Sequence, residues 1–145
     1  MAQFSMLPVV LGALLMLGLP AMAQDYPTRP VRLVIPLPPG GGNDVIGRLI
    51  AVELGTRLGK QVVVDNRPGA GSIVGTEHVA NAAPDGYTLL FTTTGPLVFN
   101  KFMYKETPFD PVTSFTPIVK VAEIPLVIAA HPSLPLRTLT ELVAY

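Results

Sequence analysis

The sequence predicts an α/β fold, with a mostly parallel sheet flanked by helices. Three observations carry that expectation. Short apolar runs at Val31–Ile35, Gln61–Asp65 and Tyr87–Phe91 are each nearly continuous in hydrophobicity. A strand with one wet face would alternate, so continuous runs point to strands covered on both sides. Each run leads through a turn-rich loop into a helical pattern, the repeating step of a parallel sheet.

The elements follow in order. Leu7 to Leu19 is apolar apart from Gly and Pro, no charged side chain precedes Asp25, and Ala21-Met22-Ala23 has the small-x-small form of a processing site. The run is shorter than the roughly 20 residues a membrane span needs. Residues 1–23 are therefore read as a signal peptide cleaved after Ala23, and the mature protein as exported. Gln24 to Pro30 is kept extended by Pro27 and Pro30. From Asp44, Ile46, Leu49, Ile50, Leu54 and Leu58 recur at three- and four-residue spacing, an amphipathic helix that Gly59 stops. Glu53 and Arg57 are spaced to pair on its wet side.

The second strand ends in Asn66-Arg67-Pro68-Gly69-Ala70-Gly71, and a helix is expected over Ser72–Ala83, closed by Pro84. Pro84-Asp85-Gly86 reads as a turn. The third strand runs into Thr92-Thr93-Thr94-Gly95, followed by a short helix near Val98–Met103. Phe99, Phe102, Tyr104, Phe109 and Phe115 are read as core, because no basic run interleaves with them to make a stacking platform. Two further strands are expected at Pro117–Glu123 and Pro125–Ala130, and Thr138-Leu139-Thr140-Glu141 is a capping box opening a last helix.

The composition excludes several classes of function. Ten Lys+Arg balance ten Asp+Glu, which gives a formal net charge of zero and no basic excess for nucleic acid. Cysteine is absent, which removes disulfides, thiolate metal sites, cysteine nucleophiles and a lipid-modified cysteine. His78 and His131 have no close partner at metal-ligand spacing, and no Gly-Lys-Ser/Thr run exists. No metal, cofactor or catalytic residue is expected.

The chain is organised around Val31 to Asp44, where the first strand meets Pro39, Gly40, Gly41, Gly42, Asn43 and Asp44 at a helix start. Glycines let backbone N–H groups approach a ligand, and the first N–H groups of a helix attract anions. This loop is read as a carboxylate or phosphate site, with Asn43 or Asp44 as N-cap. A carboxylate inside such a site would repel its ligand, so Asp44 is expected to turn back to its own helix. With strand order 2-1-3, Thr92, Thr93, Thr94 and Gly95 face the same crevice. Asn66, Gly69, Ala70 and Gly71 form a second tier, with Arg67 read as solvated. Gly69, Gly71 and Gly75 also fit a variant dinucleotide spacing, which leaves a Rossmann-like nucleotide-binding enzyme fragment as the alternative.

Read together, the motifs resemble the periplasmic substrate-binding proteins of tripartite tricarboxylate transporters, the Bordetella uptake gene family. The matching pieces are Tyr26-Pro27, Arg29-Pro30-Val31-Arg32, the loop from Pro38 to Asp44, Asn66 to Gly71, Ala83-Pro84-Asp85-Gly86-Tyr87, Phe109-Asp110-Pro111 and Pro132 to Pro135. Asn43 stands where that family more usually has Thr or Ser. The resemblance implies one lobe of a type II periplasmic-binding-protein fold over residues 24–130, with residues 131–145 as crossover and start of an incomplete second lobe. It implies a truncated, monomeric, non-enzymatic receptor that takes a small organic acid or other carboxylate solute and meets membrane permease subunits.

Overall fold

The computed structural model describes residues 25–125 and 127–145. The predicted leader and its cleavage after Ala23 lie outside the described residues. The chain divides into two units, one ending at Phe115 and one comprising Thr116–Tyr145.

In the first unit, β1 (Val31–Ile35) is the centre of a three-stranded parallel sheet, between β2 (Val62–Asn66) and β3 (Thr88–Leu90). Register pairs Leu33 with Val64 on one side and with Leu89 on the other. The order β2-β1-β3 is the expected one. Val31, Val34 and Ile35 have no exposed surface. Burial of a branched aliphatic side chain stabilises by about 1.5–3 kcal/mol, which explains why this run reads as continuously apolar.

Helix α1 (Gly42–Leu58) covers one face, where Ala51, Leu54 and Leu58 meet Val31, Leu33 and Val62. A Cβ at Gly47 would lie 2.5 Å from Ile35 Cδ1, so this glycine lets helix and sheet touch. Helix α2 (Ile73–Ala80) is set against the opposite face, since Gly75 abuts Pro36, the next residue along from Ile35. Gly59 closes α1 in the left-handed conformation at φ 65°, as expected, and Arg57 Nε donates to Glu53 Oε1 at 2.7 Å.

The start of α1 corrects the sequence reading. Gly41, extended at φ −77° and ψ 168°, is the N-cap and supplies no side-chain cap. Asn43 and Asp44 therefore lie inside the first turn and cap nothing. Helix α2 ends at Ala80 rather than Ala83, because the Asn81 N–H bonds Glu77 O and the Ala82 N–H turns to Val79 O. The expected helix near Val98 begins earlier, as a π-helical turn over Gly95–Phe99 continued by α3 (Asn100–Met103). Of the aromatics, Phe109 is buried and stacks edge-to-face with Phe115 at 5.8 Å, whereas Phe99 and Phe102 are exposed.

A strap of residues 26–29 fastens the start of the first unit to the turn before β3. Tyr26 Oη donates to Gly86 O at 2.7 Å, the Thr28 N–H donates to Tyr87 Oη at 2.8 Å, and Arg29 pairs with Asp85 at 2.9 Å.

In the second unit, the strands expected at Pro117–Glu123 and Pro125–Ala130 are not formed among the described residues. A strand exists only as a pairing, and no described strand lies alongside to accept these N–H and C=O groups. The expected capping box is present, with the Glu141 N–H donating to Thr138 Oγ1 and the Thr138 N–H to Glu141 Oε2, and it opens α4 (Leu139–Ala144).

Candidate functional site

Parallel strands deliver all their following loops to one edge of the sheet, and ligands of such folds sit at that carboxyl edge where strand order reverses. Here the reversal falls between β1 and β3. The loop after β1 carries Pro39 to Gly42, all exposed, with Asn43 half-buried. The first helical hydrogen bond is donated by Val45 to Gly41 O, so the N–H groups of Gly42, Asn43 and Asp44 precede the helical ladder.

The glycines of this loop differ from Gly47, Gly71 and Gly75, which are hemmed in by neighbouring atoms. A Cβ built at Gly40 or Gly42 would meet nothing within 4 Å, and one at Gly41 would meet only Pro38 O at 3.7 Å. No packing contact demands glycine here. Gly40 is explained by its left-handed φ of 83°, and Gly41 and Gly42 keep open space over their amides.

Asp44 turns back, as expected of it, but toward the loop as well as toward its own helix. Its Oδ2 accepts from the Gly40 N–H at 2.8 Å and from Arg48 Nε at 2.9 Å, and its Oδ1 accepts from Asn66 Nδ2 at 3.0 Å. The Arg48 bond and then the Gly40 N–H hold its carboxyl well below the usual range, at about 2, against a smaller opposing effect of burial. Asn66 also donates to Leu37 O at 3.2 Å and accepts from Arg48 Nη2 at 3.1 Å. The second-tier Asn66 is thus brought beside the first tier, with its side chain committed to protein partners.

The other expected residues are not joined to this loop by hydrogen bonds among the described residues. Thr92 and Thr93 are partly buried and Thr94 is exposed, and no hydrogen bond joins Thr92–Gly95 to the glycine loop among the described residues. Thr92 Oγ1 is buried without a partner. Gly69, Ala70 and Gly71 lie in a turn with positive φ throughout, which continues into Ser72 at 73°. That turn is occupied by the chain itself, because Asn100 Nδ2 donates to Gly71 O at 2.8 Å and the Tyr104 hydroxyl crowds Gly71. Arg67 is not merely solvated, since its Nε donates to Asp65 Oδ2 at 2.9 Å and that bond, more than any other influence, lowers the Asp65 pKa.

Arg48 was absent from the sequence reading, although Asp44 and Arg48 stand at i,i+4 in the favourable acid-first order on a predicted helix. Asn100 carries no local signal, and Tyr104 none beyond its place among the aromatics expected in the core. An open hollow of about 490 Å³ lies at the other end of α1, lined by Ala51, Gly55, Lys60 and Val62, away from the carboxyl edge.

The parallel α/β lobe is of the kind found in solved periplasmic binding proteins. The comparisons give the particular family. The family described as "Tripartite tricarboxylate transporter family receptor" matches residues 46–145, and the chain belongs to it. Protein BugT from Bordetella pertussis (strain Tohama I) is 40% identical over 126 residues, covering 86% of this chain and 39% of its own length. The solved structure "R. palustris Rpa4515 with adipate" is 37% identical, with a TM-score of 0.73 over 83% of this chain and 40% of that one. MatC (Rpa3494) from Rhodopseudomonas palustris with bound malate is 35% identical, with a TM-score of 0.61 over 63% of this chain and 31% of that one. The chain therefore spans less than half the length of the relatives it matches.

The nucleotide alternative gains no support. None of these relatives is described as binding a nucleotide. The glycines it needs serve packing, with a Cβ at Gly75 falling 2.7 Å from Pro36 Cβ and Gly71 lying against Tyr104.

Proposed function

We propose that this chain is the first lobe of an exported, non-enzymatic solute receptor that captures a small dicarboxylate for a tripartite transporter. The observation that carries the reading is the open row of Gly42 and Asn43 amides at the start of α1, with the nearby Asp44 charge turned away and neutralised by Arg48. Two relatives are described with adipate and with malate, which supports a carboxylate at this edge. In this reading the ligand meets main-chain groups of the loop from Pro39 to Asp44, with Thr92 to Gly95 on the other wall. The orphan hydroxyl of Thr92 favours including that second loop.

The same reading divides the protein into a leader over 1–23, a lobe over 24–130 and the start of a second lobe over 131–145. It places the mature, monomeric receptor in the periplasm, where it hands its solute to membrane permease subunits. No helix among the described residues is long and apolar enough to cross a membrane.

Magnitudes fix how strongly the chain binds alone. Micromolar affinity corresponds to about 8 kcal/mol. Helix N-termini contribute about 1–4 kcal/mol together, less when water competes. Enclosure by a second lobe supplies the remainder. The test is a titration of the isotope-labelled chain with malate and with adipate, followed by amide NMR. The expected result is progressive, unsaturated movement of the Gly41, Gly42 and Asn43 signals, with none for NAD or ATP. Movement with nucleotides alone, or none at all, rejects the reading.

A further inference from the structure

We propose that Asp44 and Asn66 are positioning residues that aim the loop amides, rather than contacts of the ligand; this rests on the carboxylate-binding reading above. The two side chains grip the loop at both ends. Asn66 Nδ2 holds Leu37 O at 3.2 Å and Asp44 Oδ2 holds the Gly40 N–H at 2.8 Å. Between those points lie only Pro38 and Pro39, which have no N–H of their own and restricted φ. The grip therefore fixes the peptide planes that lead into Gly41 and Gly42.

The chemistry requires these residue types. Asp44 receives three donors from three segments: the loop, α1 and the end of β2. Only a carboxylate is acceptor on all sides, and an amide would turn an NH₂ toward one of those donors. Asn66 must both donate and accept, since it gives to Asp44 and Leu37 while taking from Arg48 Nη2. Asp44 is 4% exposed, which denies a ligand direct access to it. The Gly40 N–H is consumed by the grip, which leaves the next amides along the chain to face outward. Arg48 cancels the carboxylate charge beneath them, so the helix dipole at the loop is not opposed by a bare anion.

The experiment compares the NMR response to malate in the wild-type chain, Asp44→Asn, Asn66→Ala and the exchange variant D44N/N66D, alongside thermal midpoints. The expected result is a response at Gly41–Asn43 that falls roughly tenfold in each single variant, the loss expected when a charge-assisted bond is removed. The Gly40 amide signal should move in Asp44→Asn without added ligand, and D44N/N66D, which keeps one carboxylate facing Arg48 but leaves Leu37 O without its donor, should respond no better than the single variants. Should Asp44→Asn fail to fold, Asn66→Ala carries the test, because it keeps the Asp44–Arg48 pair. Wild-type response in the folded single variants overturns this inference alone. No response in the wild-type chain overturns the binding reading and this inference with it.

Discussion

The Asp44 carboxylate and the Arg48 guanidinium stand one turn apart on α1, joined at 2.9 Å, with the acid almost fully covered and the base half exposed. The covered partner takes its charge into the fold only because donors surround it. The exposed partner keeps access to water, so the pair avoids the desolvation penalty of a fully buried ion pair.

That arrangement gives acid stability a direction. The folded pKa of Asp44, about 2, lies below its ordinary 3.8. Stability from this group is fully present above about 3.8 and is lost as pH falls toward 2. Asp65 and Asp110 are lowered too, by hydrogen bonds from Arg67 and from the Thr113 and Val112 N–H groups, and act in the same sense. Urea midpoints measured from about pH 6 down to about pH 2.5 should decline through the acid range, with a shallower decline in Asp44→Asn.

Removal of Arg48 should release Asp44 toward ordinary behaviour. In Arg48→Met, a carboxyl NMR titration should place the Asp44 pKa higher by about 1 or more, since the Arg48 bond is the largest influence on it. An unchanged value would assign the depression to Gly40 and Asn66 instead.

Two glycines should separate stability from binding. At Gly75 an added Cβ would meet Arg67 O at 2.6 Å and Pro36 Cα at 2.9 Å, both backbone atoms that cannot step aside. Gly75→Ala should cost about 1–3 kcal/mol in a denaturation experiment. At Gly42 the space is open and the residue is helical, so Gly42→Ala should leave stability equal or higher by about 0.4–1 kcal/mol. The same substitution should weaken the amide response to malate, because its methyl group enters the ligand's approach.

The strap at residues 26–29 predicts non-additivity. Tyr26→Phe removes one hydrogen bond and should cost about 0.5–1 kcal/mol, whereas Tyr87→Phe removes two, with the Thr28 N–H and with Thr28 Oγ1, and should cost more. Their rings touch edge-to-face at 5.2 Å, and Arg29 lies 4.2 Å from the centre of the Tyr87 ring. Replacement of both by Ala should depart measurably from the sum of the single losses in a double-mutant cycle.

The central architecture was legible because it rests on local patterns. Continuous apolar runs marked the three parallel strands, and the i, i+3, i+4 spacing with Gly59 marked α1 to its last residue. The glycine loop was legible for a similar reason, since consecutive glycines before a helix advertise exposed amides. What failed was whatever depends on partners distant in sequence. Pro117–Glu123 has strand composition but no neighbour to pair with among the described residues, and nothing beside Asn66 in the chain announces that its side chain meets Asp44, 22 positions away. Tyr104 over Gly71 illustrates the limit, because nothing near Gly71 in the chain announces an aromatic 33 positions later.

Among the described residues, β1 is the one strand with neighbours on both sides, and those neighbours start 31 and 57 positions further along. During synthesis this central strand is made before both of its neighbours and is paired on both sides only after two loop closures of high contact order. Until Thr88–Leu90 has emerged, Val31–Ile35 is a sticky ribbon with a raw edge, the kind of surface that a holding chaperone covers. Completion of the sheet thus waits on a segment more than halfway to Tyr145.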